Sequence, residues 1–134
     1  MFKKSFTKNI FAVIKLTTLL FVLSMFTIPV NAQTKTIDTM VGVWGLSTEG
    51  KNFQITFTKS SGNNTALKGK YYDDSKNEKY LENIFFVTRG GKSYIRFQIT
   101  DYGYFDLEVK TNIRCEGTVL AFSNGQKIKA IMTK

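Results

Sequence analysis

The 134-residue chain contains no histidine. That absence removes Ser-His-Asp and Cys-His catalysis, histidine-containing zinc sites and the commonest general base near neutral pH. A single cysteine, Cys115, rules out an intramolecular disulfide, C-x-x-C redox chemistry and a multi-thiolate metal site. No G-x-G-x-x-G motif or other phosphate-cradling loop occurs. There is one proline, Pro29, and one tryptophan, Trp44.

The proline closes a segment of distinct character. Met1 to Asn9 carries Lys3, Lys4 and Lys8 with no acidic residue. Leu16 to Ala32 is uncharged, with Leu19, Leu20, Phe21, Val22, Leu23, Met25, Phe26 and Ile28 as its apolar core. Val30-Asn31-Ala32 then resembles an A-x-A cleavage site. The 17-residue uncharged stretch is diluted by Thr17, Thr18, Ser24 and Thr27, and a spanning helix needs roughly 20 mostly apolar residues. Residues 1–32 are therefore read as a secretory signal peptide cut after Ala32. The mature protein, residues 33–134, is expected to be secreted or periplasmic, without stable membrane insertion.

Removing that segment changes the electrostatics. The formal charge of the whole chain is +9, but 15 basic and 10 acidic residues remain after Ala32, a net of +5. These basic residues form no Lys/Arg cluster, so a nucleic-acid partner is not expected. About 100 residues make one domain with a single core. Residues 33–40 read as a flexible leader or a short cap.

Strand signals fill the rest. Phe53, Ile55 and Phe57 alternate with polar neighbours, as do Ile95, Phe97 and Ile99; Phe105, Leu107 and Val109; and Ile128, Ala130 and Met132. A period of two over six or more residues marks a half-buried strand. Less regular strands fall around Trp44, at Leu67, Gly69 and Tyr71, at residues 80–88 and at residues 113–122. Residues 80–88 carry apolar side chains on both parities, the mark of a bulge or a doubly covered strand. In 113–122 the inward parity holds Ile113, Cys115, Gly117, Val119 and Ala121. Gly/Asn turns separate the strands, Asn124-Gly125 being the clearest hairpin. The expectation is an all-β fold: a small antiparallel up-and-down barrel of eight strands, with a β-sandwich as the alternative.

Gly42-Val43-Trp44 opens the first strand, and Leu67-Lys68-Gly69-Lys70-Tyr71 closes a later one. Together they resemble the start of calycin barrels, the lipocalin and avidin group. The resemblance covers about 30 residues. It implies that Trp44 packs across the closed end of the barrel, with Gly42 letting the chain bend beneath it. Avidins line their biotin site with several tryptophans, so Trp44 alone does not imply biotin. The flanking helix usual in lipocalins has no counterpart in the pattern.

The oxygen-rich loop Asp73–Glu78 fails the EF-hand spacing, since Glu78 and Ile84 stand where Gly and Glu are required. Asp106 and Glu108 share an outward face with Lys110, as in cross-strand charge pairing. No catalytic residue, metal or cofactor is assigned, and the protein is read as non-enzymatic. Its expected role is binding. A small apolar ligand would sit in the barrel interior among Trp44, Phe53, Phe57, Tyr71, Phe97, Phe105, Cys115 and Val119. Small inward residues (Gly69, Cys115, Gly117, Ala121, Ala130) would either open a cavity there or face large rings that fill it. The alternative is a protein partner or inhibited enzyme, met through the loops and a Tyr-rich outer face (Tyr72, Tyr94, Tyr102, Tyr104).

Overall fold

The computed structural model describes residues 35–134. The expected signal peptide, residues 1–32, and its expected cleavage site lie outside the described residues. One helical turn, α1 (Ile37–Met40), precedes nine strands. These are β1 (Gly42–Thr48), β2 (Lys51–Ser60), β3 (Asn63–Tyr72), β4 (Glu78–Tyr80), β5 (Glu82–Arg89), β6 (Lys92–Ile99), β7 (Gly103–Thr111), β8 (Arg114–Ala121) and β9 (Lys127–Thr133). They form one antiparallel sheet in the order β4-β3-β2-β1-β9-β8-β7-β6-β5. The first and last strands pair from Gly45↔Thr133 to Thr48↔Ala130, which brings the meander round on itself. The molecule is a nearly closed barrel, not a two-sheet sandwich.

Nine strands replace the expected eight because residues 78–89 serve both edges of the sheet. β4 pairs with β3 through Lys70↔Tyr80 and Tyr72↔Glu78. After Leu81 the chain leaves β3, and β5 pairs with β6. The switch needs a kink. Asn83 supplies it with a φ of 51°, and the β5–β6 register slips between Glu82 and Phe85. This bulge explains the apolar residues on both parities: Ile84 and Phe86 pack against the core, while Phe85 is exposed.

Strand parity sets the core. Trp44 and Leu46 of β1, Phe53, Ile55 and Phe57 of β2, and Ile95, Phe97 and Ile99 of β6 all point inward and are buried. Phe105 and Leu107 of β7, Cys115 and Val119 of β8, and Ala130 and Met132 of β9 join them. Ile113 departs from the expected inward row. It is 61% exposed because β8 starts one residue later and its N–H is held in a turn by the Thr111 hydroxyl at 3.2 Å. The Asn124-Gly125 hairpin forms as expected, with Gly125 at a φ of 68° and its N–H donating to the Ala121 carbonyl at 2.9 Å.

Candidate ligand-binding site

All eight residues expected to line the interior are buried there. They fill it. Phe97 of β6 stacks on Phe105 of β7 with ring centroids 4.9 Å apart. Phe57, reaching in from β2, meets Phe97 edge-on at 5.8 Å. These rings span the barrel from opposite walls. The small residues face them or their neighbours: Gly117 lies opposite Leu107 and Ala130, and Val119 opposite Phe105. Large against small is ordinary core packing. Cys115 belongs to this packing, and burial pushes its thiol pKa up to about 12.

Both ends of the barrel are stoppered. At one end α1 inserts the fully buried Met40. The Trp44 indole N–H donates to the Met40 carbonyl at 2.8 Å. Lys134 lies over the Trp44 ring, Nζ 5.3 Å from its centroid, and donates to the Thr39 carbonyl at 3.3 Å. Its stem also explains Gly42, where a β-carbon would sit 2.8 Å from Lys134 Cε and φ is +126°. Asp38 is tied to Lys59 by an ion pair.

At the other end of β1, the Thr48 hydroxyl meets the Tyr102 hydroxyl at 2.5 Å and donates to the Lys51 carbonyl at 3.1 Å. The Tyr102 ring packs edge-on to Phe53 at 5.1 Å and stacks on Phe105 at 5.9 Å. Lys51 Nζ lies 5.3 Å from the Phe53 centroid and pairs with Asp74 at 3.3 Å. Tyr102 is therefore a stopper rather than part of a free outer face. Tyr71, edge-on to Phe53 at 5.9 Å, completes the cluster, and burial raises its phenol pKa above the ordinary value.

A concave feature lies at the seam where the barrel stays open. Upstream of Gly69, β3 pairs only with β2, while β5 pairs only with β6. Between them is a cleft of about 490 Å³, within the usual range for small-molecule sites. Its floor is Leu67, Gly69, Leu81 and Ile84; its rim is Lys68, Tyr80 and Asn83. Leu81 is fixed by its N–H to the Gly69 carbonyl at 2.8 Å, and Asn83 by its amide N–H to the Gln98 side-chain oxygen at 3.1 Å. Phe57 lies directly beneath, close against Gly69. Of the eight expected residues, Phe57 is thus the one that borders the cleft floor. Apart from Gly69, which the sequence offers as a small inward residue able to open a cavity, the floor and rim residues are not expected from sequence, although the double-sided pattern of 80–88 marks the segment.

The carboxylates are dispersed. Asp106 pairs with Arg96 at 3.2 Å, Glu108 with Lys110 at 2.8 Å, Glu116 with Arg114 at 2.7 Å and Glu78 with Lys70 at 2.9 Å. Hydrogen bonds from Lys110 and Arg114 hold Glu108 and Glu116 below the usual carboxylate range. Asp73 accepts the N–H groups of Ser75 and Asn77 at 3.0 and 2.8 Å, folding its own loop. Among the described residues, no three His, Cys, Asp or Glu side chains come together as a metal site would require.

Comparison with known protein families, curated protein sequences and solved structures returns no match.

Proposed function

We propose that this chain is an exported, non-enzymatic binding protein of calycin-like shape that takes a small, mainly apolar molecule at the β3–β5 seam. The observation that carries this reading is the cleft itself: Leu67, Leu81 and Ile84, buried or half-buried, lie over the core beside exposed Lys68, Tyr80 and Asn83. Interior occupancy of the kind lipocalins use is disfavoured by the contact of Phe57, Phe97 and Phe105 across the barrel. Export rests on the signal-like residues 1–32.

Titration with the neutral fluorophore N-phenyl-1-naphthylamine tests the reading. A saturable rise in emission at one equivalent, abolished by Ile84→Asp but not by Ile113→Asp, is the expected result. Emission that never saturates, or that is equal in both variants, would overturn it.

A second reading, a protein partner met through the outer surface, is favoured by the exposure of Phe85 beside the free edge of β5. A fluorophore-negative protein whose complex with a co-exported partner is lost on Phe85→Ser would favour that reading over the first.

A further inference from the structure

We infer that the outer face of β3 and β4 is a second site, a stacking platform for an extended, neutral glycan chain. It adjoins the seam cleft, sharing Tyr80 with the cleft rim, and does not depend on ligand binding there.

The ladder places four outward side chains in a square. Lys70 stands opposite Tyr80, and Tyr72 opposite Glu78. The two tyrosines occupy one diagonal and are the more open pair, Tyr72 at 47% and Tyr80 at 66% exposed. Diagonal positions on one face of an antiparallel pair lie about 7–8 Å apart. The other diagonal is the ion pair, Lys70 Nζ to Glu78 Oε1 at 2.9 Å. Both tyrosines are near enough to Lys70 to influence its charge, in addition to the larger effect of Glu78. Thr56 of β2 lies beside Lys70, and Gln54 lies exposed two residues along on the same face.

This arrangement selects its ligand by chemistry. An aromatic face stacks on the C–H face of a sugar ring, and the tyrosine hydroxyl keeps a polar edge. Lys70 donates and Glu78 accepts, in positions that flank both rings. Their charges cancel within the pair, so neither side chain is left as an uncompensated charge between the rings. A purely apolar partner would strip water from the ion pair without replacing its hydrogen bonds. A neutral, polyhydroxylated chain meets both demands. Two rings held in fixed register favour a chain over a single sugar, because the second contact is made within the same molecule.

The test is native affinity electrophoresis through gels containing hydroxyethylcellulose, oat xylan or, separately, anionic alginate. Retardation by at least one neutral glycan is expected. Tyr72→Ala and Tyr80→Ala, both at exposed positions, should each weaken it by about tenfold or more, whereas Tyr72→Phe should retain it. Fluorophore binding at the seam should be unchanged by Tyr72→Ala, which separates this site from the other. Free migration through both neutral glycans, retardation by alginate alone, or full retardation of both alanine variants would each overturn the inference.

Discussion

Leu81 occupies the space that a side chain at Gly69 would need. A β-carbon built on Gly69 would sit 2.5 Å from Leu81 Cδ1 and 3.2 Å from Phe57 Cδ1. The backbone reinforces the contact, with the Leu81 N–H bonded to the Gly69 carbonyl at 2.8 Å. This pair holds the last point at which the two sides of the seam touch before the chain turns away into β5. It also forms the middle of the cleft floor.

Gly69→Ala should therefore act through Leu81. Overpacking of this kind typically costs about 1–3 kcal/mol, and the obstacle is the tip of a flexible side chain. Leu81→Ala alone should cost about 2–5 kcal/mol. The double variant should be more stable than the sum of the two losses, because each change relieves the other. Urea denaturation of the four proteins measures the coupling. Gly117→Ala should be worse than Gly69→Ala, since its β-carbon would meet the backbone of Asp106 and Leu107, which cannot rotate away.

Trp44→Ala should cost about 3–5 kcal/mol, as expected for a fully buried aromatic. Trp44→Phe isolates the indole N–H. It leaves the Met40 carbonyl without the 2.8 Å bond, and a buried acceptor left unpaired costs about 1–3 kcal/mol. Amide exchange should quicken at Met40 and its neighbours in that variant if Trp44 anchors α1 as described.

Tyr102→Phe should cost about 0.5–1.5 kcal/mol, the ordinary net value of one hydrogen bond. The Thr48 hydroxyl keeps its bond to the Lys51 carbonyl, so nothing buried is stranded. The phenylalanine ring still covers Phe53 and Phe105. In thermal melts Thr48→Val should lose more than Tyr102→Phe, because it removes the bonds to both Tyr102 and Lys51, and the double variant should add little to Thr48→Val alone.

Cys115 gives the fold a defined alkaline limit. Burial keeps its thiol protonated, with a pKa pushed from 9.0 up to about 12. The unfolded chain releases this proton earlier. The stability tied to the thiol is thus complete below pH 9.0 and is lost as pH rises toward about 12. Between pH 9.0 and about 12 the stability difference between the native protein and Cys115→Ala should narrow by about 1.4 kcal/mol per pH unit, then level off. Parallel curves would contradict this. The same burial predicts that a disulfide reagent labels Cys115 only after denaturation.

Strand parity made most of the core legible in advance. Phe53, Ile55 and Phe57 needed no tertiary information to be placed on one face, because alternation and burial are the same statement in a half-buried strand. The stopper role of Trp44 was implied only by the resemblance of Gly42-Val43-Trp44 to the opening of calycin barrels, not by periodicity. The seam was not legible in the same way. Its residues are brought together by one strand changing partner, and the change depends on a left-handed Asn83 that no periodicity encodes. Gly69 looked like one more small inward residue until Leu81, twelve positions away, was seen to cover it. Ile113 was misplaced because parity was carried one residue past a turn held by the Thr111 hydroxyl.

The proposed ligand site is the seam and not the barrel centre. An amide-resolved NMR titration with N-phenyl-1-naphthylamine tests it most directly. Saturable shifts are expected at Leu67, Lys68, Gly69, Leu81, Asn83 and Ile84, with Phe105, Cys115 and Val119 unmoved. Shifts centred on Phe97, Phe105 and Val119, or no saturable shift at any amide, would contradict it.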